Sequence, residues 1–218
     1  ADRRVVAAHL LAERAQKKYR LPALPVFLPT PVEIPDRIVK DEHPTVCYIG
    51  RWDRRKRLEL LFDLISRNPA VEFIIAGSSR DGNYDSYLRN EFRKFHNVRL
   101  PGFINQFETD QLSELLSRSW IQVNTAARES LPNSFIEGCA HKCAILSSVD
   151  PDGFSSNFGF HVDSGTFHQG LTYLLKRNRW KDLAEEGYLY VKNNFNTQTA
   201  IEKHLSLYQS VLRDKSLP

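Results

Sequence analysis

The chain has 218 residues, of which 41% are hydrophobic and 26% are charged, as in an ordinary folded domain. This length supports one large or two small domains around a buried core and excludes a disulfide-stapled miniprotein. No apolar run approaches the roughly 18 residues of a membrane span. The three cysteines lie in apolar stretches, which is typical of buried thiols in a reducing compartment, so a cytoplasmic protein is expected. The net charge of +4 suits an anionic ligand without requiring nucleic acid.

Residues 1–35 form the first predicted unit. A basic helix is expected over 2–19, followed by a proline-dense, extended connector over 22–35, because proline disfavours helix.

Residues 36–178 alternate between short apolar runs and amphipathic segments. Strands are predicted at 46–49, 71–76, 98–100, 120–123 and 144–146, with a sixth at 160–162. Helices are predicted at 57–66, 84–95 and 111–117. This alternation predicts an α/β fold, a Rossmann-like, doubly wound parallel sheet with helices on both faces. Such sheets bind ligands at the carboxyl ends of their strands.

Residues 179–218 are predicted to contain two tandem helices, over 180–194 and 197–212. The second carries Ile201, His204, Leu205, Tyr208 and Leu212 on one side. These helices are expected to pack on the edge of the domain, or toward a partner domain, which would leave that apolar side partly exposed.

A basic loop follows the first strand of the predicted sheet. Five cations lie between Arg51 and Arg57, directly after Gly50, which lets the backbone turn closely. Arg51 and Lys56 could converge on an anion that also contacts amides at the start of the next helix. The alternative is a solvated basic loop, which most charge runs are.

Two glutamates, Glu129 and Glu137, stand eight positions apart after the fourth strand. Pro132 and Asn133 mark the start of a helix, so Glu129 lies in the loop and Glu137 about one turn into the helix. The amides near Asn133 and Ser134 offer a helix end to an anion. Carboxylates beside an anion suit sugar hydroxyls, although Glu137 could also be an ordinary surface glutamate.

Small residues end the second and third strands, at 76–79 and 101–104, where a flat base could approach the backbone. Residues 77–82 do not match the G-x-G-x-x-G pattern, which disfavours a nicotinamide enzyme. Cys139, His141 and Cys143 could suggest a metal site. We instead expect Cys139 and Cys143 to share one helical face in the core, with His141 pointing elsewhere.

In their order along the chain, these segments resemble the donor-binding half of retaining glycosyltransferases of group 1, or family 4. The resemblance is carried by Gly50-Arg51-x4-Lys56, the strand end at 74–78, the hLxGFh-like segment at 98–104 and Glu129-x7-Glu137. Residues 129–137 are similar to the branch that reads Glu-Gly-Leu-Pro-Asn before its second glutamate. The resemblance covers roughly 28–191.

The resemblance implies a two-domain GT-B enzyme whose carboxyl-terminal domain binds a UDP-, GDP- or ADP-linked sugar. Catalytic roles fall to Arg51 and Lys56, which would neutralise the diphosphate in place of a metal, and to Glu129, which would bind the transferred sugar. Glu137 would hold the ribose, and the base would lie near Gly77, Phe103 and Ile104. The remaining donor contacts would come from Gly50, Ser130, Leu131, Pro132, Asn133 and Ser134.

The implied activity is metal-independent, retaining glycosyl transfer in polysaccharide or glycoconjugate biosynthesis, with no cofactor. The chain would be inactive without an amino-terminal domain, and we expect a fragment of a larger enzyme. A separate subunit remains open, as does a membrane-surface position of the full enzyme. The sequence departs from the family at 138–144, which lacks its usual Gly and Pro, and at 148–154, where Gly-Gly-x-x-Glu is common. The rival interpretations are a non-catalytic nucleotide-sugar module, an epimerase-like GT-B protein and a basic module for nucleic acid.

Overall fold

The computed structural model describes residues 3–163 and 166–215. Near the amino terminus, β1 (Val5–Val6) and β2 (Val26–Phe27) form a two-stranded parallel sheet, connected by helix α1 (Leu10–Tyr19). The prediction of one helix from residue 2 was therefore wrong, since Val5 and Val6 pair with β2. The Asp152 carboxylate accepts the N–H groups of His9 and Leu10, each at 2.7 Å, and so caps the start of α1.

The main sheet has six parallel strands in the order β5-β4-β3-β6-β7-β8. They are β3 (Thr45–Ile49), β4 (Glu72–Ala76), β5 (Val98–Gly102), β6 (Ile121–Asn124), β7 (Ala144–Ser147) and β8 (Gly159–His161). This confirms the predicted Rossmann-like α/β fold. The chain runs outward from β3 to β5 and then returns to place β6 on the other side of β3. The carboxyl ends of β3 and β6 therefore form a topological switch point, where such sheets bind ligands.

Eight further helices connect or follow these strands within the described residues. They are α2 (Leu60–Ser66), α3 (Gly82–Phe92), α4 (Gln111–Arg118), α5 (Asn133–Ala140), α6 (Phe154–Asn157), α7 (Phe167–Leu175), α8 (Arg179–Asn194) and α9 (Thr197–Lys215). The helix predicted from residue 57 begins later, because Arg54–Lys56 form a 3₁₀ turn and Arg57 is left-handed at φ 50°. Helices α6 and α7 were not predicted. A capping box between Thr166 and Gln169 starts α7.

Buried side chains alternate between the two faces of the central strands. In β3, Val46 and Tyr48 pack with α2, α3 and α7, while Cys47 faces α4 on the opposite side. A third cluster around Phe135, Phe154 and Phe195 joins α5, α6 and the end of α8. Helices therefore cover both faces, as a parallel sheet requires.

The two cysteines near α5 do not share a helical face, contrary to expectation. Helix α5 ends at Ala140, and Lys142 is left-handed at φ 55°, so Cys143 lies in the turn before β7. Both thiols are nevertheless buried and unpaired by disulfides, in two different core clusters. The expected core packing of these residues is confirmed.

The apolar side of α9 is partly exposed, as predicted. Relative exposure rises along it from 46% at Ile201 to 51% at Leu205, 56% at Tyr208 and 67% at Leu212. No helix in the described part of the chain is long and apolar enough to cross a membrane.

Candidate functional site

A cavity of about 310 Å³ opens at the carboxyl edge of the sheet, where β3, β4 and β5 end beside α5. It brings together six of the predicted site residues from four separate segments: Gly50, Arg51, Gly77, Phe103, Ile104 and Glu137. The other lining residues are Ile49, Ala76, Ser78, Arg80, Gln106 and Leu112. The mixture of bare backbone, a cation, an aromatic ring and a carboxylate suits a ligand with a flat ring and polar groups.

Gly50 and Gly77 let two loops meet beneath this cavity. The Gly50 N–H donates to the Ala76 carbonyl at 3.3 Å, and the Gly77 N–H donates to the Gly102 carbonyl at 2.7 Å. Gly77 has φ 133°, and a β-carbon there would lie 1.9 Å from the Gly50 carbonyl oxygen. Only glycine permits this approach, which leaves backbone instead of side chains on this side of the cavity.

Phe103 and Ile104 lie just beyond β5 at the rim of the cavity. The Phe103 side chain is 73% exposed, which leaves its ring free to stack on a planar ligand. Gln106 and Leu112 approach from the same loop and from α4. This end of the cavity therefore combines an exposed aromatic ring with the apolar side chains of Ile104 and Leu112.

Glu137 projects into the cavity from α5. Among the described residues, none forms a hydrogen bond or ion pair with its carboxylate, and burial raises its pKa above the ordinary value of 4.5. Behind it, His141 is fixed by the Glu137 carbonyl, 2.8 Å from Nδ1, and by Ser113 Oγ, 2.9 Å from Nε2. The Glu137 carboxylate is thus a partly buried hydrogen-bond acceptor that has no donor among the described residues.

The two predicted phosphate-binding cations differ in their surroundings. The Arg51 side chain is 66% exposed at the cavity, with Nη2 3.8 Å from Asp53 Oδ2. Lys56 instead forms an ion pair with Glu129, in which both side chains are largely buried. Neither Lys56 nor Glu129 lines the cavity. The sequence had predicted Arg51 with Lys56 and Glu129 with Glu137, but it had not predicted this ion pair.

The predicted loop contacts at 130–134 lie beside the cavity, not on its wall. Ser130 is exposed, whereas Leu131 is buried and packs in the core with Phe135. Pro132 precedes α5, which Asn133 and Ser134 begin, and no side chain caps this helix at its amino end. Amides of the first turn therefore have no side-chain acceptor in the described structure.

Four of the twelve residues of the cavity wall, Ile49, Arg80, Gln106 and Leu112, were not predicted from the sequence, whereas Ala76 and Ser78 lie in the predicted strand end at 76–79. Ile49 is adjacent to Gly50, so extending that motif by one position would have found it. Arg80 and Gln106 reach the cavity from loops, and Leu112 reaches it from α4. No local pattern identified these three residues.

A second cluster of polar groups, Asp41, His43 and Glu72, lies at the opposite edge of the sheet, with ligand atoms within 4.8 Å of one another. Arg118 Nε is 2.9 Å from Asp41 Oδ1, and Arg99 pairs with Glu72. Because two guanidinium groups neutralise the two carboxylates, we assign the cluster to a salt-bridge network at the start of the strands.

Residues 32–204 match the family model described as glycosyl transferases group 1. The chain belongs to this family. No curated protein sequence matches it significantly.

Solved glycosyltransferases share the fold along nearly the whole chain. Sucrose-phosphate synthase from Thermosynechococcus elongatus superposes with a TM-score of 0.78 at 18% identity, covering 96% of this chain and 58% of that one. A Rickettsia africae glycosyltransferase gives 0.79 at 16% identity, covering 97% and 64%. Anabaena HepE in complex with UDP and glucose gives 0.77 at 14% identity, covering 96% and 64%. The chain thus spans about three fifths of the length of these structures.

Proposed function

We propose that this chain is the donor-binding domain of a group 1 glycosyltransferase and that its cavity binds a nucleotide-diphosphate sugar. The observation that carries the proposal is the convergence of Gly50, Arg51, Gly77, Phe103 and Glu137 on one cavity at the carboxyl edge of the sheet. A base would stack near Phe103, ribose hydroxyls would donate to Glu137, and Arg51 would meet the diphosphate. The fold shared with HepE, which was solved with UDP and glucose, supports this assignment.

The proposed reaction is a retaining transfer without a metal. Breaking the bond between the anomeric carbon and the diphosphate builds negative charge on the leaving oxygen. Arg51, Lys56 and the uncapped amides of α5 would stabilise that charge more in the transition state than in the ground state. The acceptor hydroxyl then bonds to the anomeric carbon on the face that the diphosphate leaves, and its proton passes to the departing diphosphate oxygen.

Lys56 and Glu129 would exchange partners when the donor binds. In this structure each neutralises the other. A diphosphate offers Lys56 a stronger partner, and Glu129 is then free to accept hydrogen bonds from hydroxyls of the transferred sugar. The ion pair would thus keep two charged groups near their working positions before the donor arrives.

Acceptor binding and transfer are proposed to need a companion domain. The chain spans only 43% to 64% of the length of the related structures, and one side of α9 carries exposed apolar residues. We therefore expect donor binding by this chain and transfer only by the longer enzyme, at a cytoplasmic site.

Thermal unfolding with UDP, GDP and ADP, each compared with its nucleoside, tests the proposal. Ligand at one hundred times its dissociation constant adds about 2.7 kcal/mol, or about 5 to 10 °C in Tm for a domain of this size. At least one diphosphate should give this shift at a lower concentration than its nucleoside. If none of the three diphosphates raises Tm at millimolar concentration, the site assignment is wrong.

A further inference from the structure

Arg57 joins three loops at the carboxyl edge of the sheet. Its Nε donates to the Thr125 carbonyl at 2.9 Å, and its Nη2 lies 3.3 Å from the Ala126 carbonyl and 2.9 Å from Ser148 Oγ. Thr125 and Ala126 follow β6, whereas Ser148 follows β7. One guanidinium therefore holds the basic loop against the ends of two neighbouring strands.

Two further hydrogen bonds join the basic loop to the loop that follows β6. Thr125 Oγ1 donates to the Lys56 carbonyl at 2.5 Å, and the Ala127 N–H donates to the Arg55 carbonyl at 2.9 Å. Lys56 immediately precedes Arg57, and Glu129 lies three residues beyond Ala126. The contacts made by Arg57 thus lie at the base of both loops that carry the Lys56–Glu129 ion pair.

The backbone of Arg57 is strained, with φ at 50°. This left-handed conformation disfavours residues that carry a β-carbon and costs glycine nothing. An arginine here therefore loses backbone stability that its side-chain contacts must offset. Such strain is retained where the surrounding contacts hold it in place, often at functional sites.

The guanidinium of Arg57 forms hydrogen bonds within the protein. Arg51, Arg54 and Arg55 are exposed, whereas Arg57 is half-buried and donates to two carbonyls and a hydroxyl. It is therefore suited to bracing the site and not to binding the ligand directly.

We propose that Arg57 is a positioning residue that keeps Lys56 and Glu129 opposed at the diphosphate end of the donor site. The inference rests on the proposed function and adds to it a residue that acts through Lys56. Without the Arg57 side chain, the basic loop is joined to the β6 loop by two hydrogen bonds and the Lys56–Glu129 ion pair itself, and Lys56 no longer meets the diphosphate in a fixed geometry.

The test compares Arg57→Gly and Arg57→Lys with the control Arg55→Ala, which removes an equal charge from a side chain that is 83% exposed in the same loop. Calorimetry measures binding of UDP, GDP and ADP and of their nucleosides. Arg57→Gly should lower the affinity for the tightest-binding diphosphate about tenfold and the affinity for its nucleoside by less than about twofold. Arg57→Lys keeps the charge but not the forked guanidinium, so its diphosphate affinity should lie between those of Arg57→Gly and the original protein. Arg55→Ala should bind the diphosphate with nearly the original affinity.

A double-mutant cycle separates positioning from general damage to the fold. If Arg57 acts through Lys56, Arg57→Gly costs little further affinity in a Lys56→Ala background. An equal loss of diphosphate affinity in both backgrounds, or an equal loss for nucleoside and diphosphate, overturns the inference.

Hydrogen exchange at the amides of residues 125–130 provides a readout that needs no ligand. Arg57→Gly should accelerate this exchange, and Arg55→Ala should not. If the unmodified protein binds none of the three diphosphates, the proposed function is wrong. The exchange rates then still test whether Arg57 holds the two loops together. Unchanged exchange in Arg57→Gly rejects the brace whatever the binding result.

Discussion

Glu137 combines a cost in stability with the proposed task of binding ribose. Its carboxylate is partly buried without a donor from the described protein, which is why its pKa is raised. Replacing it by an amide of the same shape removes the charge that burial disfavours. Glu137→Gln should therefore raise Tm at pH 7 to 8, yet weaken nucleotide binding about tenfold, because hydroxyls bond more strongly to a carboxylate. The same substitution at an exposed glutamate, Glu114→Gln, is the matched control. A lower Tm for Glu137→Gln than for the original protein would contradict the expectation.

The pH dependence of stability follows from the same shift. A carboxyl whose pKa is raised by folding binds more protons in the folded state, so its contribution to stability falls as pH rises above 4.5 through the raised pKa. The Tm difference between Glu137→Gln and the original protein should be small below pH 4.5 and should grow as pH increases. A difference that shrinks with rising pH would show that burial is not the cause.

Glu129 pairs with Lys56 and would compete with a diphosphate for it. Glu129→Gln should tighten UDP binding about two- to fivefold, the value of a modest ion pair that no longer has to be broken. The same change should abolish any preference for UDP-glucose over UDP, since the group proposed to bind the sugar is lost. Calorimetry with both ligands measures the two effects together. Weaker UDP binding by Glu129→Gln would mean that Glu129 does not compete for Lys56.

At the strand ends, Gly77 shows how local backbone shape supports the site. A β-carbon at Gly77 would collide with the Gly50 carbonyl, so Gly77→Ala should cost about 2 kcal/mol or more and lower Tm by about 4 to 8 °C. Gly82 begins α3 with open space around it, so Gly82→Ala should gain about 0.4 to 1 kcal/mol. Thermal unfolding measures the Tm of both variants. Equal changes in Tm for Gly77→Ala and Gly82→Ala would contradict the close approach of the two loops at Gly77.

Elements with a strong local pattern were predicted to within a few residues, and elements made by distant contacts were not. The apolar run at 46–49 became β3, because its side chains alternate between two buried faces. Strands β1 and β2 contain two residues each and exist because they pair across α1. The start of α2 was misplaced because Arg57 takes up a left-handed conformation between two helical segments. For α7, the Thr166 and Gln169 pair was a usable signal that the periodicity did not reveal.

For the whole molecule, the open question is transfer. We expect this chain alone to bind donor without transferring sugar, and a longer form carrying the companion domain to transfer it with retention at the anomeric carbon. Because Arg51 and Lys56 are proposed to replace a metal, EDTA should change the transfer rate by less than about twofold. The measurement is product formation, followed by NMR of the anomeric proton, with and without EDTA. Transfer by this chain alone, inversion, or loss of activity in EDTA would each refute one part of the proposal.

Fold class and the residues at the strand ends could be predicted from the sequence because both depend on short-range order. The period of the apolar residues is local, and a parallel sheet necessarily places the carboxyl ends of its strands on one edge. This is why Gly50, Arg51, Gly77, Phe103 and Glu137, which line one cavity in the structure, could be singled out from the sequence.

Which charged groups face each other was decided by the folded chain. Lys56 meets Glu129 across 73 positions, and Arg57 meets Ser148 across 91. These pairs depend on the packing of loops from strands that are distant in sequence. Their electrostatic and hydrogen-bonding energies exist only after the loops have met, and no local spacing encodes them. The sequence alone therefore predicted a doubly wound domain with a ligand-binding site at the carboxyl edge of its sheet. The pairing of its charged groups and the left-handed conformation and contacts of Arg57 followed from tertiary packing.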